Sequence, residues 1–585
     1  MKINTNLISG AKSLVDRLIY HKVDTIFGYP GGAILPVIDI FHGQNKIKYI
    51  APKTELGGSF MAEGYSKATK KPGVIMVTSG PGAINIMTSL QNARSDGTQL
   101  LALTGQVSTK VLGTDAFQEA PIIDISLPIT KWNNMITDGT KINNTIDLAF
   151  NKMSEKRYGP VLLDLPKNIM SASYKQINQP LENKIIDKKI SENLKDCTSI
   201  IPEFITKLIR SSERPLILAG QGIFQSGAIN ELRVFAKLYN IPITTTLWGL
   251  GAFNEKDKLS LKMVGMHGSY YANNAIQNCD LLLNFGSRFD DRIIGDPNKF
   301  APKAKIVHVD ILEENINKTI TPNYYIVGDC KSVLKRIINY ENNIYPSEYQ
   351  EWFKQISKWK QIGFTFPIKK DILQGRQVIN HLNTLINNKE GNFTIVADVG
   401  AHQMWAAQFI DYNYPKIKFI TSGGLGSMGY ALPASIGYKI GVAGTNDTVI
   451  CICGDGGFTM SLIELLTAVE NKVPIKVLVI NNSYQLMVKM WQDKFYNKRQ
   501  VGVKMNNPAF EDVAKSLGCA GIRIDNNKDM DKKLKYFLEY DGPIVANVIT
   551  DENESVLPMV SPGKALDDMI IDEDDDKKIE GDAPC

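Results

Sequence analysis

Two polar stretches stand at the ends of two apolar runs. TVICICGDGGF sets Asp455 among Gly454, Gly456 and Gly457, and PIKVLVINN ends in Asn481 and Asn482. Both runs are β-branched, short and bounded by turn residues, the pattern of buried parallel strands. Open parallel sheets bind ligands at the C-terminal ends of their strands, and Asp455 and both asparagines fall there. The glycines let backbone approach an anion and offer N–H groups at a helix start. A carboxylate beside an amide oxygen suits Mg²⁺, a hard cation that takes oxygen ligands and bridges to phosphate. GDGG alone also reads as an ordinary strand-to-helix turn. The specific signal is GDG followed, after one helix and one strand, by NN.

The elements that must position these residues alternate strand and helix along the whole chain, which predicts α/β architecture with doubly wound parallel sheets. At about 150 residues per domain, 585 residues make three or four domains. The first, 1–175, carries glycine turns at strand ends around Gly28–Gly32, Gly80–Gly82 and Gly105, and VLLDLPKNIM reads as its last strand. A lysine-rich linker follows, from about Tyr174 to Asn193. The second, 190–345, has glycines at strand ends but no GxGxxG opening, so the usual dinucleotide fingerprint is absent. A helix-like amphipathic stretch lies within Glu341–Lys370, ahead of the third domain, 370–550. The segment 551–585 ends in an acidic, apolar-poor tail expected to be disordered.

Composition excludes several classes. The formal charge of +5 is small, with acids and lysines interspersed, so nothing argues for nucleic acid. No apolar run reaches the roughly 18–20 residues of a membrane span. The N-terminal stretch lacks the apolar core of a signal peptide and reads as an amphipathic helix, with no transit peptide. Seven cysteines, none in a CxxC pair, fit a reducing compartment. A cytoplasmic location is expected, or an organelle stroma.

The chain resembles the catalytic (large) subunit family of acetohydroxyacid synthase, also called acetolactate synthase. The likeness runs from about Asn6 to about Pro562 through GYPGGAILP, AEGY, TSGPGA, GTDAFQE, ITKWN, GMHG, RFDDR, HQMWAAQF, TSGGLGSMG, GDGGF, INN and WQDKFY. It implies three α/β domains that bind the pyrimidine of thiamine diphosphate (ThDP), FAD and the diphosphate of ThDP. It implies a homodimer or homotetramer, with each ThDP between one chain's first domain and its partner's third, and a small regulatory subunit as a further partner. The implied reaction decarboxylates pyruvate and joins the two-carbon unit to a second 2-keto acid, pyruvate or 2-ketobutyrate, in branched-chain amino acid biosynthesis.

Roles carry over residue by residue. Glu55 matches the glutamate that hydrogen-bonds the aminopyrimidine ring; Gly32, Phe117, Gln118 and Lys131 match residues lining the reacting centre. Asp455, Asn482 and the carbonyl of Tyr484 match the Mg²⁺ ligands. Gly400, His402, Met428, Gly454, Gly456, Gly457, Asn482 and Met487 match ThDP contacts, Met428 as the residue that bends the cofactor. Trp491 matches the tryptophan that favours 2-ketobutyrate, and Arg292 the arginine near the acceptor's carboxylate. FAD is implied along Arg157, Gly220, Gly222, Gly265, Met266, His267, Gly268, Gly286, Arg288, Asp290, Arg292, Asp310 and Asp329, without a net redox role.

Some positions depart from the family pattern: Thr54 and Leu56 beside Glu55, Ala401, Leu486, Met490, RSDGTQ in the first domain, and Ser108 at a channel position. Leu486 puts a side chain where backbone approaches the diphosphate. These departures imply an active enzyme with weakened cofactor binding. Two rival readings are another FAD-linked ThDP enzyme of the pyruvate oxidase kind, and a non-catalytic relative kept for assembly or regulation.

Overall fold

The computed structural model describes residues 7–176, 200–340, 348–362, 366 and 368–572. Most of the expected linker and the acidic tail lie outside them. Three units each carry a parallel sheet of six strands. The first sheet is formed, in chain order, by Thr25–Gly28, Lys48–Ile50, Gly73–Val77, Leu100–Gln106, Trp132–Met135 and Pro160–Pro166. Numbered so, their hydrogen-bonded order is 2-1-3-4-6-5. The third sheet repeats that order with Asn392–Ala397, Ile417–Thr421, Asp447–Gly454, Lys476–Asn481, Ala520–Ile524 and Ile544–Ile549.

The middle unit differs. Its strands Pro215–Ala219, Ile243–Thr245, Ser260–Met263, Leu281–Phe285, Lys305–Asp310 and Tyr324–Val327 lie in the order 3-2-1-4-5-6. That order reverses direction between the first and fourth strands, where such sheets open a ligand crevice.

The strand from Val161 is last in the chain but not in the sheet. It sits inside, and the edge is taken by Trp132–Met135, which is half-buried along its length. An edge strand pairs on one side only, so it needs no apolar run, and WNNM gives none.

The units are joined through matched helices. Glu55–Thr69 and Ala431–Gly441 each follow the second strand of their own sheet. A Cβ on Gly64 would lie 2.0 Å from the Ala434 carbonyl oxygen, and one on Gly437 1.8 Å from that of Met61. Only glycine permits this approach. One apolar cluster, from Phe27 and Ile75 to Tyr430 and Phe458, runs through both units.

The segment after the third sheet forms a further strand pair. Met559–Val560 pairs antiparallel with Met569–Ile570, and Val560 N–H donates to the Met266 carbonyl. Glu554, fully buried, forms an ion pair with Arg376 at 3.0 Å.

Candidate active site

A cavity of about 510 Å³ opens between the third and middle units, at the C-terminal edge of the third sheet. Its wall holds Gly400, His402, Met428, Gly454, Asp455, Gly456, Gly457, Asn482, Tyr484, Met487 and Trp491 from the third unit. Met266, His267, Arg288, Asp290 and Arg292 come from the middle unit. The nucleus is the pair of strand ends that the sequence singles out. Asp455 opens the helix Asp455–Ser461, and its carboxylate accepts Gly456 N–H at 3.0 Å and Asn507 Nδ2–H at 2.7 Å. Burial pushes Asp455 up to about 6. A carboxylate so placed is relieved by a cation.

The donor set fits Mg²⁺. Asn482 lies beside Asp455 on the same wall, and its Oδ1 accepts Tyr484 N–H at 3.0 Å, curling the loop that carries the Tyr484 carbonyl. Among the described residues no cluster of three histidines, cysteines or acids could hold a metal ion. The oxygen-only set of one acid, one amide and one carbonyl is what Mg²⁺ uses when phosphate supplies the rest.

The cradle beside it is made of backbone. Gly400 stands at φ +146, and a Cβ there would lie 2.8 Å from the His402 ring. His402 Nε2 accepts Gly454 N–H at 3.2 Å, and burial holds this imidazole down to about 3, so it is neutral. Asp398 is the buried hub: it accepts Val399 N–H at 2.7 Å and Gly429 N–H at 3.0 Å, fixing the loop that presents Met428. Asp398 and Asn507 escape the sequence reading. Asp398 also ends a strand, in TIVADVG, so the logic that finds Asp455 reaches it. Asn507 lies in KMNNP, where nothing local announces that Gln485 N–H and Met505 N–H bond back across to Val503 and Ser483 carbonyls.

The cavity rim is rich in methionine. Met490 is buried against Met559 and Ile570, with Met266, Met487, Trp491 and Leu557 packed around them. Leu486 is 7 % exposed and sits in the third unit's apolar core. Arg292 lies 3.5 Å from Asp291 across a solvent-exposed pair.

The first-unit residues form a second group that does not line this cavity. Glu55 Oε2 accepts Asn85 Nδ2–H at 3.1 Å, and a Cβ on Gly82 would lie 3.5 Å from Glu55 Oε1. Gln118 stands at φ +62 with its carbonyl against Gly80. Phe117 is 90 % exposed, and open space surrounds Gly32. Lys131 donates to the Glu155 and Arg157 carbonyls, at 2.5 and 2.8 Å, and burial lowers it to about 8.

In the middle unit the glycines meet at the switch point. A Cβ on Gly222 would lie 2.7 Å from Gly286 Cα, and one on Gly220 2.3 Å from the Gly286 oxygen. Backbone therefore packs on backbone at the switch point, which is where sheets of this order bind dinucleotides such as FAD. Arg157 donates to the Arg94 and Ser95 carbonyls, at 2.9 and 2.5 Å, satisfying the end of the helix Met87–Asp96. Asp310 accepts Leu312 N–H at 2.8 Å, and Asp329 caps the helix Cys330–Tyr340 through Ser332 N–H at 3.0 Å. Gly265 and Gly268 shape the turn below Met266 and His267, Gly268 N–H donating to the Gly265 carbonyl at 2.9 Å.

His267 gives a pH prediction. Burial lowers it to about 4, with Nδ1 at 3.3 Å from the Pro558 carbonyl. Its unfolded value is near 6.5, so the stability it confers is present above 6.5 and is lost as pH falls through 4. Between pH 7 and pH 5 the loss is about 2 kcal/mol. In urea titrations of the cofactor-free protein, His267→Asn is expected to remove that share of the acid sensitivity. An unchanged difference between the two pH values would refute it.

Comparison with known proteins is consistent along the chain. The thiamine pyrophosphate enzyme families match as N-terminal TPP binding domain at residues 8–126, central domain at 203–337 and C-terminal TPP binding domain at 398–548. "Acetolactate synthase, mitochondrial" of Schizosaccharomyces pombe is 40 % identical, over 97 % of this chain and 86 % of its own length. The chain belongs to the acetolactate synthase catalytic-subunit family. Other members include the acetolactate synthase large subunits of Cyanidium caldarium, 39 % identical over 97 % of this chain and 98 % of their own, and of Lactococcus lactis, 38 % identical over 96 % of both. Membership explains the three-unit order, with two thiamine-binding domains flanking a central one.

Proposed function

We propose that this chain decarboxylates pyruvate and joins the two-carbon unit to a second 2-keto acid, yielding 2-acetolactate or 2-aceto-2-hydroxybutyrate, with ThDP, Mg²⁺ and FAD as cofactors. The observation that carries the reading is the single cavity in which cation donors, a glycine cradle, Trp491 and Arg292 converge. Bound ThDP supplies the electron sink for decarboxylation. The chain's part is positional and electrostatic. Asp455, Asn482 and the Tyr484 carbonyl hold Mg²⁺, and Gly400, Gly454, Gly456 and Gly457 leave room for the diphosphate. Glu55 would set its carboxyl against the aminopyrimidine ring. Arg292 offers a guanidinium to the acceptor's carboxylate, and Trp491 gives its alkyl group an apolar wall. FAD would lie along Gly220–Gly222 and Gly286, at the switch point of the middle sheet.

The reading requires a second copy. One chain's cavity lacks Glu55, while Phe117, Leu127 and Ile84 of the first unit and Met460 and Val501 of the third are exposed apolar residues. Dimerisation, or a tetramer built as a dimer of dimers, buries them and brings Glu55 to the partner's cation loop. A small regulatory partner accords with relatives named as catalytic or large subunits. Among the described residues no helix is long and apolar enough to cross a membrane, in keeping with action in the cytoplasm or a stroma.

Product analysis of the purified protein with pyruvate and 2-ketobutyrate decides: acetolactate and acetohydroxybutyrate are expected, whereas acetate or acetyl phosphate would overturn the reading in favour of an oxidase. Asn507→Ala is expected to weaken Mg²⁺ about tenfold to a hundredfold, the usual cost of losing a partner behind a metal ligand. Calorimetric titration of Mg²⁺ in the presence of ThDP reads this directly, and an unchanged affinity would show that Asn507 does not hold Asp455.

A further inference from the structure

Of the buried carboxylates outside the cation site, Glu464 faces the first unit beside Glu55. Glu464 is 0 % exposed and sits in the short turn Leu462–Glu464, which continues directly from the helix that Asp455 opens. It points out of its own unit. Its Oε1 accepts Thr54 N–H at 2.9 Å and Thr54 Oγ1–H at 2.9 Å. Lys53 N–H reaches Oε2 at 3.0 Å, and Thr467 Oγ1–H donates to Oε2 at 2.7 Å. A Cβ on Gly57 would lie 2.2 Å from Oε1, so the helix leaves space for this carboxylate. Thr54 is the N-cap of the helix Glu55–Thr69: its Oγ1 accepts Gly57 N–H at 3.0 Å while donating to Glu464. Lys53 Nζ adds an ion pair to Glu470 at 2.6 Å.

Glu55 is the next residue in the chain. We propose that Glu464 is a positioning residue for Glu55, a third-unit carboxylate that clamps the peptide just before the first unit's acid and ties it to the helix carrying Asp455. The proposal rests on the role given to Glu55 above. Four donors on one buried carboxylate fix this peptide more firmly than a cap alone, because charge-assisted hydrogen bonds are about twice as strong as neutral ones. Thr54, a departure from the family pattern, supplies two of the contacts. An acid displaced by about 1 Å can cost about a hundredfold in rate.

The test is Glu464→Gln in the full chain with ThDP, Mg²⁺ and FAD. An amide must turn an N–H toward donors that already point at it. The expected result is a kcat about tenfold to a hundredfold lower, KM for pyruvate within about twofold, and ThDP affinity nearly unchanged. Combined with Glu55→Gln, the loss should not add. Without any cofactor, amide hydrogen exchange at Lys53–Gly57 should quicken. Should Glu464→Gln fail to fold, Thr54→Val and Thr54→Ser replace it: valine should lower kcat and serine restore it. Wild-type kcat in Glu464→Gln, equal loss of kcat and ThDP affinity, or serine no better than valine would each overturn the proposal. A wild-type protein that makes no acetolactate would instead overturn the functional reading, leaving the exchange measurement to judge the clamp alone.

Discussion

Glu55→Ala is expected to lower kcat by about 10²–10⁴-fold, the range for removing a positioned acid–base group, with little effect on folding or Mg²⁺ affinity. The side chain is half-buried, carries no ion pair among the described residues, and its hydrogen bond is to the exposed Asn85 at 3.1 Å. Its removal leaves no buried charge unpaired and opens no core cavity, so the usual sources of large destabilisation are absent. The helix keeps its cap, which belongs to Thr54. Steady-state kinetics beside a thermal melt makes the check. Equal activity in the variant would end the assignment of Glu55.

Asp455→Ala should act through binding. The carboxylate is the only charged group in the proposed cation set, and a metal bound to phosphate contributes several kcal/mol of charge stabilisation. Activity is expected to fall by about 10³-fold or more, and ThDP binding should no longer respond to Mg²⁺. The metal-free variant should nevertheless melt no lower than wild type, because burial already disfavours the ionised carboxylate and pushes it up to about 6. Metal-dependent ThDP binding that survives in Asp455→Ala would place the cation elsewhere.

The sequence made some of this legible and not the rest, for physical reasons. Apolar runs with glycine at their ends identify parallel strands because both faces of such strands are buried, and the strands carrying Asp455 and Asn481 are where those runs end. Trp132–Met135 escaped because an edge strand carries no such run. The site residues legible from chemistry alone were the cation donors; the roles of Glu55, Trp491 and Arg292 came from resemblance. Asn507 and Glu464 act through hydrogen bonds to residues 52 and 410 positions away, and no local pattern marks such contacts. Leu486 lines the cavity and also packs in the third unit's core, a double placement that its position in the sequence does not announce.

The helix pair that joins the first and third units has a consequence for how the chain holds together. Each helix follows the second strand of a sheet with the same strand order, and each lends the other a glycine at the crossing. The two units therefore meet as the halves of a symmetric dimer would, about an approximate two-fold axis inside a single polypeptide. The middle unit has one apolar core of its own residues, Ile205 to Ile337, while on the other face of its sheet Leu216, Leu218 and Leu261 pack with Val560, Leu566 and Met569 of the segment after the third unit. The flanking units instead share one continuous core, so neither can be cut away without leaving half an interface in water. In thermal terms the flanking units are one cooperative block, assembled from the two ends of the chain, and the C-terminal segment fastens the middle unit to it through Val560, Leu566 and Met569.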